Sequence, residues 1–316
     1  MGMFDSLKQL AREPRRSRPP SLRPGEDLFD DDFQRKLETL AIVSRRVFAG
    51  RMRAERRSKK KGSGVEFADH RDYAPGDDFR FVDWNVYQRF GKLLVRLYEE
   101  EEDLQISFIV DCSASMAFGT GKKFDQARRL AAALAYVGLA NLDRVAAYGV
   151  NDELVAEMPP TRGRARIFKV FRFLRDLSPS GTTNLGEAIG VVAARQKRRG
   201  LVVLFSDLYD PHGFERGINQ LRYNKLEPYV VHITDPLDAQ PALRGDVHLY
   251  DCETGDEREV TVTDALLARM EDAYKGYLAD IERFCVKNQV PYFAAEVGVP
   301  FDELVLKVFR RGGFLR

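Results

Sequence analysis

The chain has 316 residues, of which 44% are hydrophobic and 31% charged, a composition typical of a globular protein rather than a disordered or fibrous one. Its formal net charge is only +2, and no apolar run reaches the roughly 18 residues needed to span a membrane. The N-terminus lacks the apolar core of a signal peptide, so we expect a cytoplasmic location.

Positive charge is concentrated at the start of the chain. Residues 1–64 contain 17 Lys/Arg and 9 Asp/Glu, a net charge of +8, which leaves −6 for the rest. Residues 1–27 are rich in proline and arginine and poor in large apolar residues, which predicts a mobile basic tail.

Residues 30–57 show apolar side chains at helical spacing, with acids at the start and arginines at the end, so we predict a helix there. The run Arg45–Lys61 contains nine basic residues and one acid, which suits nucleic acid or an anionic surface. Phe48 is the only aromatic residue in this run that could stack on a base. We therefore favour a solvated helix end followed by a linker.

A charged motif with the single tryptophan of the chain follows. Pro75-Gly76 predicts a turn within it. The motif residues are Arg71, Tyr73, Pro75, Gly76, Asp77, Asp78, Arg80, Asp83 and Trp84. We interpret them as local ion pairs around an aromatic plug, either bracing the extension or forming a surface for a partner. Residues 93–98 read as a strand and residues 99–103 as an acidic link.

Oxygen-bearing side chains follow two buried apolar runs. Residues 104–110 predict a strand buried on both faces, and Asp111, Ser113 and Ser115 follow it. Residues 201–205 predict a second such strand, which ends at Ser206-Asp207. Ligands of open α/β sheets bind beyond the carboxyl ends of the strands. The loop over residues 180–184 between them adds a threonine hydroxyl, so five oxygen donors of the kind that Mg²⁺ prefers are predicted to meet.

The rest of the chain alternates between predicted helices and strands. Helices are predicted over residues 124–142, 167–174, 185–196, 264–287 and 301–310, with a short helix within 209–221, and strands over residues 145–150, 153–158, 229–233, 247–250, 258–262 and 291–295. Asp235 is assigned to a turn, with support of a metal site as the alternative, and Cys112 to a packed position pointing away from the oxygens. The pattern predicts an α/β fold with a doubly wound, Rossmann-like and mostly parallel sheet flanked by helices. It would span residues 104–316, after an N-terminal extension over 28–103 with a helix and short strands.

The five oxygen donors resemble the metal-ion-dependent adhesion site of von Willebrand factor A (vWA) domains. The resemblance assigns Asp111, Ser113 and Ser115 to the first loop, Thr183 to the second and Asp207 to the third. Thr182 replaces Thr183 if the loop is shifted by one residue. In that family the hydroxyls contact the metal directly, the acids act largely through water, and one position stays open for a carboxylate of the partner.

A second resemblance rests on the pattern GxEFxxxRxYxPGDDxRxxDW followed by DxSxSM. It resembles a bacterial family, domain of unknown function 58, whose members are vWA-like and typically associated with MoxR-type AAA+ ATPases. The matching residues are Gly64, Glu66, Phe67, Arg71, Tyr73, Pro75, Gly76, Asp77, Asp78, Arg80, Asp83 and Trp84. The resemblance covers about residues 60–310 and implies an adaptor or assembly role.

These observations predict a protein–protein interaction module that depends on Mg²⁺, with Mn²⁺ or Ca²⁺ as alternatives. The expected partner is a MoxR-type AAA+ ATPase or its client, which contributes an acidic side chain. One alternative is a nucleic-acid or anionic-surface binder that uses Arg45–Lys61, and another is a site that only stiffens its loops.

A catalytic role has little support in the sequence. Ser113 stands where a phosphatase of the DxD type has its second acid, and the segment 111–115 lacks the glycines of a serine-hydrolase elbow. Lys123 stands where a phosphate-binding loop needs a hydroxyl. We therefore expect that the protein is not an enzyme. A metal-dependent hydrolase is the less favoured alternative.

Overall fold

The computed structural model describes residues 28–40, 57–58, 66–101, 105–118 and 122–311. The predicted tail at 1–27 lies outside the described residues, as does the basic run Arg45–Lys61 except for Arg57–Ser58. The strands are β1 (Arg57–Ser58), β2 (Glu66–Asp72), β3 (Leu94–Glu101), β4 (Gln105–Asp111), β5 (Arg144–Val150), β6 (Leu154–Arg162), β7 (Gly200–Ser206), β8 (Glu227–Thr234), β9 (Gly245–Tyr250), β10 (Glu257–Val262) and β11 (Tyr292–Glu296).

The helices follow the same order along the chain. They are α1 (31–40), α2 (Trp84–Phe90), α3 (Lys122–Ala140), α4 (Ile167–Asp176), α5 (Leu185–Arg195), α6 (Glu215–Tyr223), α7 (Pro236–Ala239), α8 (Asp264–Lys287) and α9 (Phe301–Arg311). No helix of the described residues is both long enough and apolar enough to cross a membrane.

A six-stranded sheet in the order β11-β8-β7-β4-β5-β6 forms the centre of the fold. Every neighbouring pair is parallel except β5 and β6, which are antiparallel neighbours in sequence. All seven residues of β4 are buried, as expected for a central strand covered on both faces. The predicted α/β fold with a mostly parallel sheet is therefore confirmed.

Helices cover both faces of this sheet. Phe108 and Val110 of β4 point into one core with α3, α4 and α9. Ile109 points into the other core with α5, α6 and part of α8. Alternate residues of one strand thus serve two separate cores, which is the arrangement of a doubly wound sheet.

The N-terminal helix belongs to the first of these cores. Asp30 Oδ1 accepts a hydrogen bond of 2.7 Å from the backbone N–H of Phe33 and so caps the helix, as its acidic start predicted. The ring of Phe33 lies 4.4 Å from that of Phe301, and the ring of Phe29 stacks 4.6 Å from that of Phe171. The extension therefore begins with a segment packed between α4 and α9.

Three predicted boundaries differ from the structure. The helix predicted over 30–57 cannot reach its predicted end, because Arg57 pairs with Glu101 in an antiparallel ladder. The acidic link predicted at 99–103 is wrong for residues 99–101, which continue β3. The short helix predicted within 209–221 spans Glu215–Tyr223, because a turn capped by Asp210 precedes it, with the N–H of His212 donating to Asp210 Oδ1 over 2.8 Å.

Candidate metal centre

The carboxyl ends of β4 and β7 lie side by side in the central sheet. The two strands pair in parallel, with Val110 opposite Phe205 in register. Asp111 is the last residue of β4 and Asp207 follows β7, so both lie at the same edge of the sheet. Both residues are buried, which makes this edge a site with two enclosed carboxylates.

The first loop turns its oxygens toward one another. The backbone N–H of Ser113 donates to Asp111 Oδ1 over 2.9 Å, and the hydroxyl of Ser206 donates to Asp111 Oδ2. The Oγ atoms of Ser113 and Ser115 lie 3.0 Å apart. A short 3-10 turn over Ala114–Ala117 curls the chain so that alternate residues share this side. Cys112, which lies between Asp111 and Ser113, packs into the core, as expected.

Asp207 joins this cluster from the second strand. Its Oδ1 accepts from Ser115 Oγ over 3.4 Å, and its Oδ2 accepts from Lys123 Nζ over 2.8 Å. Lys123 also contacts Asp238 Oδ2 over 3.3 Å, from the start of α7. The side chain of Lys123 is only 2% exposed, so a buried ammonium stands beside the two buried acids.

Thr183 comes from a loop held against the first one. The N–H of Ala114 donates to the carbonyl oxygen of Gly181 over 3.1 Å, and the N–H of Ser180 donates to that of Cys112 over 2.7 Å. Thr183 is 1% exposed, whereas Thr182 lies on the surface. The structure therefore places the second of these two threonines, Thr183, on the inner side of the loop.

A carboxylate that the sequence did not predict reaches this loop. Glu253 Oε1 accepts from the hydroxyl of Thr183 over 2.7 Å, and Oε2 accepts from the backbone N–H of Thr183 over 3.0 Å. The N–H of Ser115 lies 3.4 Å from Oε1 as well. One side chain from the turn between β9 and β10 thus bridges the first two loops of the site.

The site carries more carboxylates than ammonium groups. Burial raises the pKa of Asp111, and the charge of Asp207 raises it further. Burial lowers the pKa of Lys123, but Asp207 and Asp238 outweigh this effect, and the pKa is raised above its ordinary value. Because Lys123 offers one positive charge against Asp111, Asp207, Asp238 and Glu253, a further cation would be stabilised here.

The donors fit a hard divalent ion. Mg²⁺ binds oxygen ligands, keeps several waters and takes only one or two carboxylates from the protein. Asp111, Asp207 and the two serine hydroxyls supply such a set. In the part of the chain that the structure describes, no group of three or more His, Cys, Asp and Glu is placed to hold a metal. Any ion here would therefore depend on hydroxyl oxygens.

A buried histidine, His232, contacts the backbone at the carboxyl end of β7. His232 Nε2 contacts the carbonyl oxygen of Asp207 at 3.1 Å, and Nδ1 contacts the hydroxyl of Tyr292 at 2.9 Å. Burial lowers the pKa of His232 to about 4, so the ring is neutral at pH 7. Both ring nitrogens are engaged, which fixes the backbone at Asp207 rather than offering a free base.

Asp235, which was assigned to a turn, lies directly before the short helix α7. Its Oδ1 accepts from the N–H of Leu237 over 3.0 Å and caps α7. The acid that reaches the site from this segment is Asp238. The sequence did not single out Asp238, because a helical acid after a cap carries no signal of its own.

The motif in the extension forms a second, separate set of contacts. Arg71 Nη2 donates to Asp77 Oδ2 over 2.6 Å, and Arg80 pairs with Asp78. Asp83 caps α2 and also binds Arg96 Nε at 2.9 Å and His70 Nε2 at 3.0 Å. The predicted ion pairs and the turn at Pro75-Gly76 are present.

The aromatic plug predicted within that motif is wrong. Trp84 is 55% exposed, and Tyr87 and Phe90 on the same short helix are also exposed. Tyr73 stacks on Phe79 with ring centroids 5.5 Å apart. Asp83 fixes α2 through its backbone, so the rings on the helix are left facing outward. The motif is held together by charge rather than by a buried ring.

The fold and the site together define an α/β protein with polar residues at the carboxyl edge of a doubly wound sheet. The family described as "Protein of unknown function DUF58" matches residues 69–277, and the chain belongs to this family. An uncharacterized protein of Mycobacterium tuberculosis is 30% identical over 270 residues, which is 84% of each chain. An uncharacterized protein of Mycobacterium avium is 31% identical over 100 residues, covering 32% of this chain and 59% of the relative.

Two solved structures are similar in part. One is an aerotolerance-related membrane protein from Bacteroides fragilis, with 15% identity and a TM-score of 0.43, covering 66% of this chain and 98% of that one. The other is the conserved hypothetical protein BatB from Bacteroides thetaiotaomicron, with 14% identity and a TM-score of 0.41 over the same shares.

Proposed function

We propose that this chain is a vWA-like, metal-dependent protein-interaction module. Its site would hold Mg²⁺, or alternatively Mn²⁺ or Ca²⁺, through Asp111, Ser113, Ser115, Thr183 and Asp207. The observation that supports this is the continuous set of short contacts from Asp111 through Ser113 and Ser115 to Asp207. These oxygens come from two strand ends that are distant in sequence, and they are buried beside a single ammonium group, that of Lys123.

The groups around the site have separate roles in this proposal. Ser206 and the N–H of Ser113 orient the carboxylate of Asp111. Lys123 orients Asp207 and offsets part of the negative charge. A bound ion would supply a positive field that attracts an incoming carboxylate. Two acids neutralise such an ion only partly once an ammonium is also present, so an anionic side chain of a partner would gain free energy.

The partner in this proposal offers an aspartate or glutamate on an exposed loop. A MoxR-type AAA+ ATPase or its client is the partner that the resemblance of the two motifs implies. An adaptor role fits a site that binds an ion at a loop cluster and has the ion-paired motif as a second, independent surface. The exposed rings of Trp84, Tyr87 and Phe90 would serve that surface.

We infer that the site binds a partner and does not catalyse a reaction, because the basic side chains near it are already engaged in contacts. Lys123 is held by Asp207 and Asp238, and both ring nitrogens of His232 are engaged. A general base needs a free lone pair within reach of a substrate proton. Neither side chain offers one.

Metal binding is tested first on the purified protein. Mn²⁺ titrations followed by electron paramagnetic resonance measure the free ion directly, and Mg²⁺ competition gives its affinity. Asp111→Asn should abolish binding, because the amide removes the charge while keeping the shape. Asp272→Asn, an exposed acid on α8, is the matched control. Equal ion binding by the parent and Asp111→Asn would contradict the proposed site.

Partner binding is then measured with the ATPase of the same organism. The complex should form with Mg²⁺, be lost with chelator and be lost with Asp111→Asn. If the complex persists in chelator, the partner would bind the N-terminal extension instead of the metal site. Retention of nucleic acid that falls steeply with salt and ignores chelator would favour the run Arg45–Lys61.

A further inference from the structure

The hairpin that carries Glu253 is an appendage of the fold. β9 and β10 form their own two-stranded antiparallel sheet, apart from the central one. Most of its side chains are exposed, and only Val262 at its end is buried. An isolated two-stranded hairpin is marginally stable in water. Its position therefore depends on what its tip contacts.

The turn of the hairpin is built to present one residue. Asp251 Oδ1 accepts from the N–H groups of Glu253 and Thr254 over 2.8 and 2.9 Å. These bonds lower the pKa of Asp251 and so hold it ionised. Gly255 follows with a φ of +78°, a conformation that favours glycine. The turn is thus closed by its own bonds, and the Glu253 side chain is free to point away from it.

Glu253 points into the proposed metal centre. Its carboxylate spans Thr183 and the N–H of Ser115, residues 70 and 138 positions away in sequence. Thr183 is 1% exposed, so this contact lies within the mouth of the site. A carboxylate that touches both loops occupies the place in which the proposed function puts the acid of a partner.

We propose that Glu253 is a ligand carboxylate that the chain supplies to its own metal centre, and that a partner binds by displacing the β9–β10 hairpin. This inference rests on the proposed function, because it needs an ion at Asp111 and Asp207. It also defines the partner more closely. The displacing segment is an acidic turn with one glutamate or aspartate at its tip, like Asp251-Cys252-Glu253-Thr254-Gly255-Asp256 itself.

The hairpin is suited to leave the site. It buries little apolar surface, so undocking loses few hydrophobic contacts. A partner carboxylate must outcompete a resident one, which raises the selectivity of the site against free carboxylates and weak acids. A ligand can shift such an equilibrium only by its difference in affinity for the two states.

Amide hydrogen exchange of residues 245–262 tests the inference on the full chain. Mg²⁺ should slow exchange across the hairpin in the parent protein. The slowing should vanish in Glu253→Gln, which keeps the size of the side chain and removes its charge. Glu253→Gln should also weaken Mg²⁺ binding about tenfold, as the loss of a carboxylate partner of a metal typically does.

Glu259→Gln is the matched control, since Glu259 lies exposed on β10 of the same hairpin and carries the same charge. It should behave as the parent does in both measurements. A second control is Asp111→Asn, in which Mg²⁺ should leave the exchange of the hairpin unchanged. Slowing by Mg²⁺ in Asp111→Asn would assign the effect to another ion site and overturn the inference.

These measurements distinguish failure of the inference about Glu253 from failure of the proposed function. If the parent binds Mg²⁺ but Glu253→Gln binds it equally well and hairpin exchange ignores the ion, Glu253 is no ligand and the proposed function stands. If the parent binds no Mg²⁺, Mn²⁺ or Ca²⁺, the proposed function fails and the inference with it. If exchange slows only in proteins that retain both Asp111 and Glu253, the inference is supported.

Discussion

Lys123 and Asp207 form a buried ion pair in which Nζ lies 2.8 Å from Oδ2. The two side chains are 2% and 1% exposed, and Asp238 lies 3.3 Å from the same ammonium. The ring of Tyr209 adds a cation–π contact at 5.0 Å. Removing one partner of such a pair leaves an uncompensated buried charge.

Lys123→Met should therefore destabilise the metal-free protein strongly. The expected loss is about 3–5 kcal/mol in the free energy of unfolding, because Asp207 is left unpaired. Saturating Mg²⁺ should restore part of that loss by supplying positive charge. Urea unfolding with chelator and with Mg²⁺ measures both effects.

Lys275→Met is the control for this prediction. Lys275 pairs with Glu271 on the surface of α8, and such exposed pairs contribute little to stability because water screens them. A loss for Lys123→Met no larger than that of Lys275→Met would show that the buried pair does not stabilise the site.

Thr183→Val and Thr182→Val form a second test, on adjacent residues with the same change of a hydroxyl to a methyl. Thr183 is buried and contacts Glu253, whereas Thr182 is exposed. The first substitution should weaken Mn²⁺ binding by about tenfold or more, and the second should leave it unchanged. The paramagnetic titration described above measures both. A larger effect at Thr182 would mean that the loop register is shifted by one residue.

Asp83→Asn should make the stability of the protein less dependent on acid pH. Hydrogen bonds from Arg96 and then His70 hold the pKa of Asp83 well below its ordinary value of about 3.9. The unfolded state thus binds more protons, so this carboxylate stabilises the fold above about pH 4 and the contribution is lost as pH falls.

The gap in unfolding free energy between the parent and Asp83→Asn should be largest at neutral pH and shrink toward pH 3. Urea unfolding at several pH values measures the gap. Asp78→Asn, at an exposed pair with Arg80, should show a smaller change. A gap that stays constant with pH would disprove an ionised, paired Asp83.

Phe33→Ala tests whether α1 is part of the core. The ring of Phe33 is 3% exposed and packs on Phe301. Its removal should cost about 3–5 kcal/mol. Phe90→Ala, at a ring 71% exposed, should change the unfolding free energy by less than about 0.5 kcal/mol. Thermal or urea unfolding that finds the two variants equal would place α1 outside the cooperative unit.

The sequence located the two strand-end acids because each follows a short, continuous apolar run. Asp111 and Asp207 were predicted on that ground, and parallel pairing of β4 and β7 brings them together. Thr183 was assigned by the resemblance to the vWA site, and the structure shows that Asn184, the next residue, caps α5. Period and capping are local signals, so the elements and the first donors could be read from the chain alone.

The residues that the sequence did not reveal are brought in by tertiary packing. Lys123 contacts an acid 84 positions away, and its place at the start of α3 resembles that of any exposed helical lysine. The two strands of the hairpin around Glu253 were predicted, but nothing in a turn signature states where the tip of the hairpin docks. Trp84 was expected inside because tryptophan usually is, yet Asp83 fixes the helix in a way that leaves the ring outside.

The contact between the first and last described helices bears on the order of synthesis. α1 is translated before α4 and α9, and the segment that holds it meets α4 through Phe29 and Phe171 and α9 through Phe33 and Phe301. Phe33 therefore stays without its nearest aromatic partner until α9 has been translated. Until then the growing chain exposes an apolar face, which α9 afterwards covers.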